Sequence, residues 1–414
     1  MRKMMDSGLD IVGQMPNEWN FVRLRYLCNI TTGNSDTQDA DLDGEYLFYV
    51  RSPIIERSTK YTFDGEGILM AGDGAGAGRV FHHAFGKYAV HQRVYRLYNF
   101  KINSNFLFYY VSNLFPSVMD KGSAQSTVPS VRLPMLLNFE VCFPPLAEQQ
   151  RIADFLDEKC GEIDSIRSDI QKQIDILNDY KKSVITEAVT KGLNPKAKLK
   201  DSGIEWIGKI PEEWITKKLK YLTNQPLQYG ANESGCDYDD SLPRYIRITD
   251  ISMDNKLKDE GKLSLEYDKA KPYLLEDYDL LFARSGASVG KTFLYKKEYG
   301  TSAFAGYLIK ASLDKKKVSP KFVYYNTLSC CYESWKQQAF TQATIQNIGA
   351  EKYNTFVIPV PPLPEQKAIA DYLDEKCSAI DATIADKQRQ LETLEEYKKS
   401  LIFEYVTGKK EVLQ

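Results

Sequence analysis

Two glycine-rich segments carry residue types that can bind phosphate. Residues 285–292 read SGASVGKT and nearly match the P-loop of nucleotide-binding proteins, G-x-x-x-x-G-K-[ST]. The first glycine is replaced by Ser285, and residues 293–295 predict a strand, whereas a P-loop opens a helix whose N-terminus faces the phosphates. The related segment at 69–79 lacks the lysine and the threonine. We therefore interpret both segments as turns between strands, or as bare backbone that another molecule approaches, with nucleotide binding as a distant alternative.

The three histidines are the next candidates for chemistry. His82, His83 and His91 fall within ten residues, and the second half of the chain has no histidine. A metal site needs further ligands at suitable spacing, and no cluster of acidic residues or cysteines stands near these three. A duplicated nucleophile–base centre is not indicated either. Contact with nucleic-acid bases or phosphates and a plain surface strand remain the alternatives.

Acidic residues are paired at two matching places, Asp154 with Asp157 and Asp371 with Asp374. Both sets fall in the first turns of predicted helices, where carboxylates complement the positive end of the helix dipole. We interpret them as solvation and capping groups rather than as catalytic acids. The chain also lacks an Asn-Pro-Pro-Tyr motif of adenine methyltransferases, so methyl transfer is not predicted for it.

Basic and aromatic residues alternate after each glycine-rich segment. Residues 79–101 contain five lysines and arginines and no acidic residue, interleaved with phenylalanines, tyrosines and the three histidines. Residues 284–297 have four basic residues and no acidic one, together with Phe293 and Tyr295. This composition is typical of nucleic-acid contact. A solvated strand face is the alternative interpretation.

The elements that must position these residues occur twice in the chain. Residues 145–164 and 362–381 are identical at 14 of 20 positions and lie 217 residues apart. Residues 6–27 (DSGLDIVGQMPNEWNFVRLRYL) are echoed at 201–222 (DSGIEWIGKIPEEWITKKLKYL). The sequence therefore predicts two copies of one unit, each a globular head followed by a segment of another kind.

That second segment is a long helix in each copy. Apolar residues recur in steps of three, four or seven from Ile152 to Ala188 and again from Ile369 to Tyr405, which defines one helical face. Gly192 and Gly408 end the two patterns. A narrow apolar seam of this length favours pairing of the two helices in a coiled coil within one chain. The alternative is that each helix packs on its own head.

The heads are predicted to be mixed and β-rich. Short runs of β-branched and aromatic residues predict strands at 46–50, 90–97, 245–248 and 356–358, and short helices are predicted at 106–114 and 322–328. The fold class is therefore α+β. The predicted segments are head one (1–145), a central helix (146–192), a linker (193–200), head two (201–362), a C-terminal helix (363–408) and a tail (409–414).

Composition and charge limit the class of protein. The 54 basic and 56 acidic residues give a net charge of -2, and 43% hydrophobic with 12% aromatic residues is typical of a globular protein. No apolar run approaches the ~18 residues of a membrane span, and no secretory signal is visible, so a cytoplasmic location is expected. Seven cysteines without CxxC spacing indicate neither a disulfide framework nor a zinc ribbon.

The duplicated motifs PPLAEQQRIADFLDEK and PPLPEQKAIADYLDEK, with the two DSG openings, resemble the DNA-specificity subunit of type I restriction–modification systems. The resemblance covers essentially the whole chain. It implies that each head is a target-recognition domain, similar to the small recognition domain of adenine methyltransferases, which reads one half of a bipartite DNA site. It also implies that the helices form an antiparallel coiled coil that sets the spacer between the half-sites.

The resemblance further implies a set of partners. Two methyltransferase subunits would dock along the coiled coil, and two restriction–translocase subunits would complete the complex. S-adenosylmethionine, ATP and Mg2+ would be bound by those subunits, and this chain would bind no cofactor or metal and carry no catalytic residue. Because the net charge is slightly negative, the chain alone is expected to bind DNA weakly.

The family supplies no invariant base-reading residue, so the DNA-contacting candidates come from this sequence. They are Arg51, Arg79, Gln92, Arg93 and Thr127 in head one, and Arg247, Arg284, Lys291, Thr344, Gln346 and Asn347 in head two. Two other functions remain open from the residues alone. One is a coiled-coil scaffold whose two heads bind protein, and the more distant one is a P-loop-like nucleotide hydrolase.

Overall fold

The computed structural model describes residues 2–122, 129–252, 254–341 and 347–412. The chain separates into two compact units. Unit 1 comprises Met1–Gln171 and Gln388–Gln414, and unit 2 comprises Lys172–Lys387. Each unit therefore contains one head together with part of both long helices.

Within the part of the chain that the structure describes, head one is built from short strands and two α-helices. The strands are β1 (Met4–Asp6), β2 (Gln14–Pro16), β3 (Asn20–Arg23), β4 (Asn29–Thr32), β5 (Tyr46–Tyr49), β6 (Glu56–Ser58), β7 (Phe63–Asp64), β8 (Gly67–Ala71), β9 (Phe81–Ala84), β10 (Lys87–Val90), β11 (Val94–Tyr98) and β12 (Glu140–Phe143). The helices are α1 (Ser104–Gly122) and α2 (Leu133–Asn138), and the long helix α3 (Leu146–Lys191) follows.

Two four-stranded sheets form the body of head one. The first is antiparallel, in the order β4-β11-β8-β9, and pairs Val94 with Ala71. The second has the order β6-β5-β10-β7 and contains a parallel pair, β5 with β10. Two ribbons, β1 with β2 and β3 with β12, complete the head.

Head two has a closely similar set of elements. The strands are β13 (Leu199–Asp201), β14 (Lys209–Pro211), β15 (Ile215–Lys218), β16 (Gln228–Tyr229), β17 (Cys236–Asp237), β18 (Arg244–Ile246), β19 (Leu263–Ser264), β20 (Leu280–Ala283), β21 (Thr292–Leu294), β22 (Ser302–Phe304), β23 (Leu308–Ala311) and β24 (Val357–Val360). The helices are α4 (Tyr267–Ala270), α5 (Pro320–Asn326), α6 (Cys330–Thr341), α7 (Ala350–Tyr353) and the long helix α8 (Leu363–Val406).

The sheets of head two repeat those of head one. The antiparallel order β16-β23-β20-β21 matches β4-β11-β8-β9 strand for strand, with Leu308 paired to Ala283. The mixed sheet, β17-β19-β18-β22, again contains one parallel pair, β18 with β22. The two mixed sheets differ at their edges. In head one, β6 and β7 flank the parallel pair on opposite sides, whereas in head two β19 and β17 both lie on the β18 side of the pair. The predicted duplication of β-rich mixed heads is confirmed.

Two predicted strands are interrupted. Residues 90–97 were expected to form one run, but β10 ends at Val90 and β11 begins at Val94. Residues 91–93 form a turn closed by the hydrogen bond from Val94 N to His91 O (2.9 Å). Residues 245–248 end earlier than expected, because a 3-10 turn begins at Ile248. At 91–93, pairing of the two ends in different sheets overrides the local β preference, since Val90 pairs with Tyr49 and Val94 with Ala71.

The long helices run antiparallel within each unit. In unit 1, Lys398 of α8 pairs with Asp164 of α3 at 2.7 Å. In unit 2, Lys181 of α3 pairs with Asp381 of α8 at 2.7 Å. In unit 1, Arg167 of α3 also pairs with Glu395 of α8 at 2.9 Å. From one pair to the next the residue number increases along α3 and decreases along α8, which is the antiparallel arrangement. The predicted coiled coil within one chain is confirmed.

The helix ends also pack on the heads. Leu156 of α3 and Val406 of α8 are fully buried in the same apolar cluster as Trp19 and Phe106 of head one. The seam of each helix therefore covers the other helix along part of its length and a head along the rest. The two arrangements that the sequence left open both occur.

A buried glutamine ties each head to the first turn of a long helix. Gln149 accepts a hydrogen bond from Asn103 N at 2.8 Å, and Gln366 accepts one from Ser319 N at 2.8 Å. Both glutamines are nearly or fully buried. They are the glutamines of the repeated PPLxEQ motif, so the motif is a joint between head and helix.

Two of the paired carboxylates belong to the same joints. Asp157 accepts a hydrogen bond from Tyr109 at 2.8 Å, and Asp374 accepts one from Tyr325 at 2.6 Å. The interpretation of these two residues as solvation and capping groups is therefore incomplete, because each also binds a head. Asp154 fits the interpretation, since within the described residues its side chain bonds to Gln150 of its own helix and to no head.

Glycine ends both long helices in the left-handed conformation. Gly192 has φ of 74° and Gly408 has φ of 72°. A side chain at Gly408 would place its Cβ 2.5 Å from Pro16, so the close packing also requires glycine. Among the described residues, no helix combines the length and the apolar character that crossing a membrane demands.

Candidate nucleic-acid interface

The glycine-rich segments are loops between antiparallel strands. Residues 72–80 connect β8 with β9, and residues 284–291 connect β20 with β21. The second loop contains one 3-10 turn, Gly286–Ser288, and then enters a strand rather than a helix. A P-loop needs a helix N-terminus behind the phosphates. The loops are thus turns between strands, as the sequence favoured.

The two loops share a backbone framework. Gly72 N donates to Arg93 O at 2.8 Å, and Arg284 N donates to Tyr307 O at 3.0 Å. Val131 N donates to Gly72 O at 2.8 Å, and Ile348 N donates to Arg284 O at 2.9 Å. Gly72 and Arg284 therefore occupy equivalent positions. The framework is the same in both heads while the side chains on it differ.

In head one, a single carboxylate gathers two of the candidate arginines. Asp73 lies 3.0 Å from Arg51 and 3.3 Å from Arg93. The side chain of Asp73 is 19% exposed, whereas those of Arg51 and Arg93 are 45% and 64% exposed. Both cations are therefore held at the surface next to Gln92, which is also exposed.

A cleft of about 590 Å3 opens beside these residues. Arg51, Asp73 and His91 line it together with the backbone of residues 74–76. The sequence predicted Arg51, Gln92 and Arg93 separately, and the structure brings them to one edge of head one. Asp73 was not predicted from the sequence, because the partners of this carboxylate come from distant strands and leave no local pattern.

His91 is a neutral hydrogen-bonding residue of that cleft. Its Nδ1 accepts a hydrogen bond from Arg93 N at 3.0 Å, so the ring proton lies on Nε2, which faces Thr37 Oγ1 at 3.3 Å. Burial lowers the pKa of His91. The ring therefore fixes the 91–93 turn that presents Arg93.

The other two histidines have partners of their own. His82 Nε2 lies 3.3 Å from Ser52 O, and His83 Nε2 lies 2.9 Å from Glu66. Burial lowers the pKa of both rings. Arg79 is held by Asp120 of α1, so it does not share the carboxylate of Arg51 and Arg93.

Two head-two candidates are held by their own head. Arg247 forms a bidentate pair with Asp250 and also donates to Gly261 O at 2.7 Å. Lys291 donates to Ser252 O at 3.0 Å, and burial lowers its pKa. Their charged groups therefore organise the loops around residues 250 and 261.

Arg284 and Asn347 lie together at the equivalent of the head-one loop. Residue 285 forms a β-bridge with Asn347, and the Arg284 guanidinium lies 4.9 Å from the centre of the Tyr229 ring. Arg284 Nε and Asn347 Oδ1 are buried and have no hydrogen-bond partner among the described residues. Tyr229 was not predicted from the sequence, because its contact with Arg284 joins residues that lie far apart in the chain.

Three candidates lie outside the described residues. They are Thr127, Thr344 and Gln346. Their predicted contacts with DNA remain predictions.

Comparison with known proteins gives a consistent set of matches. A family model described as type I restriction modification DNA specificity domain matches residues 16–176 and 211–396. The chain is 23% identical over 389 residues to the type I restriction enzyme EcoDI specificity subunit of Escherichia coli, covering 88% of this chain and 82% of that protein. It is 25% identical over 424 residues to the MjaVIII specificity subunit of Methanocaldococcus jannaschii, covering 96% and 94%.

A solved structure shows the same fold. A chain from a structure reported on complex assembly and conformational transition of the type I R-M system superposes with a TM-score of 0.66 at 16% identity, covering 96% of this chain and 99% of that one. The two family-model matches correspond to the two copies found in the sequence and in the sheets. Since they cover well over half of the residues, this chain belongs to the family of type I restriction modification DNA specificity domains and carries that domain twice.

Proposed function

We propose that this chain is the non-catalytic DNA-specificity subunit of a type I restriction–modification complex. Each head reads one half of a bipartite DNA site, and the antiparallel coiled coil sets the spacer between the halves. The observation that carries this proposal is the shared loop framework, on which Gly72 of one head corresponds to Arg284 of the other. A constant framework with changed side chains suits two readers of different base sequences.

The charges at the loops support contact with DNA. Arg51 and Arg93 lie at the surface of head one, and Arg284 is the first residue of the loop of head two. Cations of this kind contact phosphates or the edges of bases in the major groove. The chain as a whole has a net charge of -2, so partner subunits supply much of the electrostatic attraction to DNA.

The long helices offer matching surfaces to two copies of one partner. Tyr180 of α3 and Tyr397 of α8 occupy the same position of the internal repeat, and they are 56% and 55% exposed. Exposed aromatic side chains are typical anchors of protein interfaces. We infer that two methyltransferase subunits dock there and that two restriction–translocase subunits join them.

The chemistry of the complex belongs to these partners. S-adenosylmethionine, ATP and Mg2+ are bound by the methyltransferase and translocase subunits, and this chain contributes binding and geometry. The complex acts on DNA in the cytoplasm.

The direct test is a map of N6-methyladenine across the host genome, with and without this gene. We expect a two-part methylated motif that disappears when the gene is removed and returns when it is restored. A map that does not depend on the gene would refute the proposal.

The spacer is tested by removing seven residues at matching positions of α3 and α8, which preserves the heptad seam. We expect the methylated motif to keep both halves and to change the number of bases between them. An unchanged spacer in a stable, assembled complex would exclude the helices as its determinant.

A further inference from the structure

The most unusual side chain at the proposed interface is Arg284. In the described part of the chain it forms no ion pair and no side-chain hydrogen bond, and its Nε is buried without a partner. Arg51, Arg93 and Arg247 are each held by an aspartate. A guanidinium kept free of carboxylates retains its hydrogen-bonding capacity for a ligand.

The position of Arg284 is nevertheless fixed. Its guanidinium lies 4.9 Å from the centre of the Tyr229 ring, within the range of a cation–π contact. The Tyr229 hydroxyl accepts a hydrogen bond from Ala350 N at 3.0 Å, which holds the ring in place. The backbone of Arg284 is bonded on both sides, to Tyr307 O and from Ile348 N. The group is therefore positioned in advance of binding, which reduces the entropy lost when a ligand binds.

A second orphaned polar atom lies on the neighbouring segment. Asn347 Oδ1 is a buried acceptor without a partner in the described structure, and residue 347 is bridged to Ser285, the residue after Arg284. Leaving such an atom buried and unpaired is destabilising, because it has given up its hydrogen bonds to water. A donor and an acceptor left unpaired on adjacent segments mark a place where a bound molecule, with a small change of rotamer, supplies the missing partners.

Head one lacks both side chains on the same framework. Gly72 stands where head two has Arg284, and Ser130 stands where it has Asn347, since both Asp73–Ser130 and Ser285–Asn347 are bridged. A group that served folding would be expected in both heads, because the backbone bonds around it are the same. The difference instead suits a residue that distinguishes one half-site from the other.

We propose that Arg284 is a specificity-determining residue that reads a guanine in the half-site of head two, with Asn347 contacting the adjacent base. This inference rests on the proposed function. Arginine presents two parallel N–H groups that match O6 and N7 of guanine in the major groove, and the amide of asparagine matches the edge of adenine. The half-site of head one has no guanine read from this position of the framework.

The test compares wild-type, Arg284→Ala and Arg284→Lys chains in complexes assembled with the host's own partner subunits. The methylated motif is mapped first, and binding is then measured to duplexes that carry every single base change in each half-site. We expect the wild-type complex to prefer guanine at one position of one half-site by about 10- to 100-fold. Both variants should lose that preference and retain the preferences of the other half-site.

The lysine variant separates base reading from phosphate binding. Lysine keeps the charge but loses the two parallel donors. If Arg284→Ala weakens binding to all sequences equally and Arg284→Lys restores it, Arg284 contacts a phosphate and the inference is overturned. Unchanged preferences in both variants would also overturn it, while the two-part motif of the wild-type complex would still support the proposed function.

The matched control is Lys269→Ala, which removes an exposed cation of the same head that pairs with Glu266. Its complex should keep the full motif. A wild-type complex without any two-part motif would refute the proposed function itself, and the inference with it.

Discussion

Tyr325 donates a hydrogen bond from its hydroxyl group to Asp374 Oδ1 over 2.6 Å, and this bond joins α5 of head two to α8. Lys321, one turn earlier on α5, lies 2.5 Å from the other oxygen of the same carboxylate. In unit 1, Asp157 is held in the same way by Tyr109 and by Asn105. The attachment of a head to a long helix is thus built from the same positions in both copies.

We expect Tyr325→Phe to lower the unfolding free energy of unit 2 by about 1–2 kcal/mol. The change removes a hydrogen bond to a charged acceptor and leaves no cavity, and the partial exposure of Asp374 keeps the loss at the low end of the usual range. Tryptophan fluorescence during urea denaturation reports it, because Trp206, Trp214 and Trp335 lie in unit 2.

Tyr180→Phe is the control for that measurement. Tyr180 is 56% exposed on α3, so removal of its hydroxyl should change the free energy of unit 2 very little. Equal losses in the two variants would show that the bond to Asp374 does not stabilise the joint.

The ion pair between Lys398 and Asp164 should contribute modestly. We expect a double-mutant cycle with Lys398→Ala and Asp164→Ala to give a coupling of about 0.2–1 kcal/mol that shrinks in high salt, because Asp164 is 52% exposed. The matching cycle with Lys181 and Asp381 in unit 2 should give a similar value. A coupling above about 2 kcal/mol, or one insensitive to salt, would mean that the pair is effectively desolvated.

Asp73→Asn should strengthen DNA binding by the assembled complex. The change releases Arg51 and Arg93 from their shared carboxylate, so one more cation can neutralise a phosphate. We expect the plot of log K against log salt concentration to steepen by about one unit, with the methylated motif unchanged. Asp43→Asn, at an exposed position of the same head, removes the same charge and should leave the slope unchanged. An unchanged salt slope for Asp73→Asn would show that the two arginines do not approach the DNA backbone.

Lowering the pH should decrease the stability of head one more than that of head two. Burial lowers the pKa of His82, His83 and His91, so their folded-state values lie below the unfolded value of about 6.5. As the pH falls below 6.5, the unfolded state binds protons first, and the stability present at higher pH is lost as the pH passes down through the folded pKa values.

Hydrogen exchange at pH 7 and pH 5.5, corrected for intrinsic rates, tests this difference peptide by peptide. Protection should fall in the strands around residues 81–98. Head two has no histidine, and its buried Asp279 has a raised pKa, which acts in the opposite direction. Equal losses of protection in the two heads would contradict the assignment to histidine.

The features that could be predicted from sequence are those with local or repeated patterns. The period of the apolar residues from Ile152 to Ala188 predicted a helix, and α3 spans Leu146–Lys191. The glycines of the loop before Lys291, followed by Phe293, predicted a turn into a strand. The internal repeat predicted two similar heads, because equal sequence motifs impose equal packing.

The features that could not be predicted depend on contacts between distant residues. Asp73 gathers Arg51 and Arg93 from two other strand ends, and only the sheet order brings these three together. The role of Asp157 depends in the same way on Tyr109, 48 residues earlier. The break at 91–93 also leaves no local pattern. Val90 and Val94 both favour strands, and they are separated because Val90 pairs with Tyr49 in one sheet and Val94 with Ala71 in the other.

The division of the chain into units has a consequence for synthesis on the ribosome. Unit 2 is a continuous stretch, whereas unit 1 joins residues up to 171 with residues from 388 onward, 217 positions later. At about 5–20 residues per second, that interval lasts roughly 10 to 45 s. During that interval, an apolar surface of head one and α3 stays exposed to solvent. It is the surface that Leu401 and Val406 cover in the complete protein. The half of the protein that is made first is therefore completed last, and it is the half more exposed to aggregation and proteolysis while the chain grows.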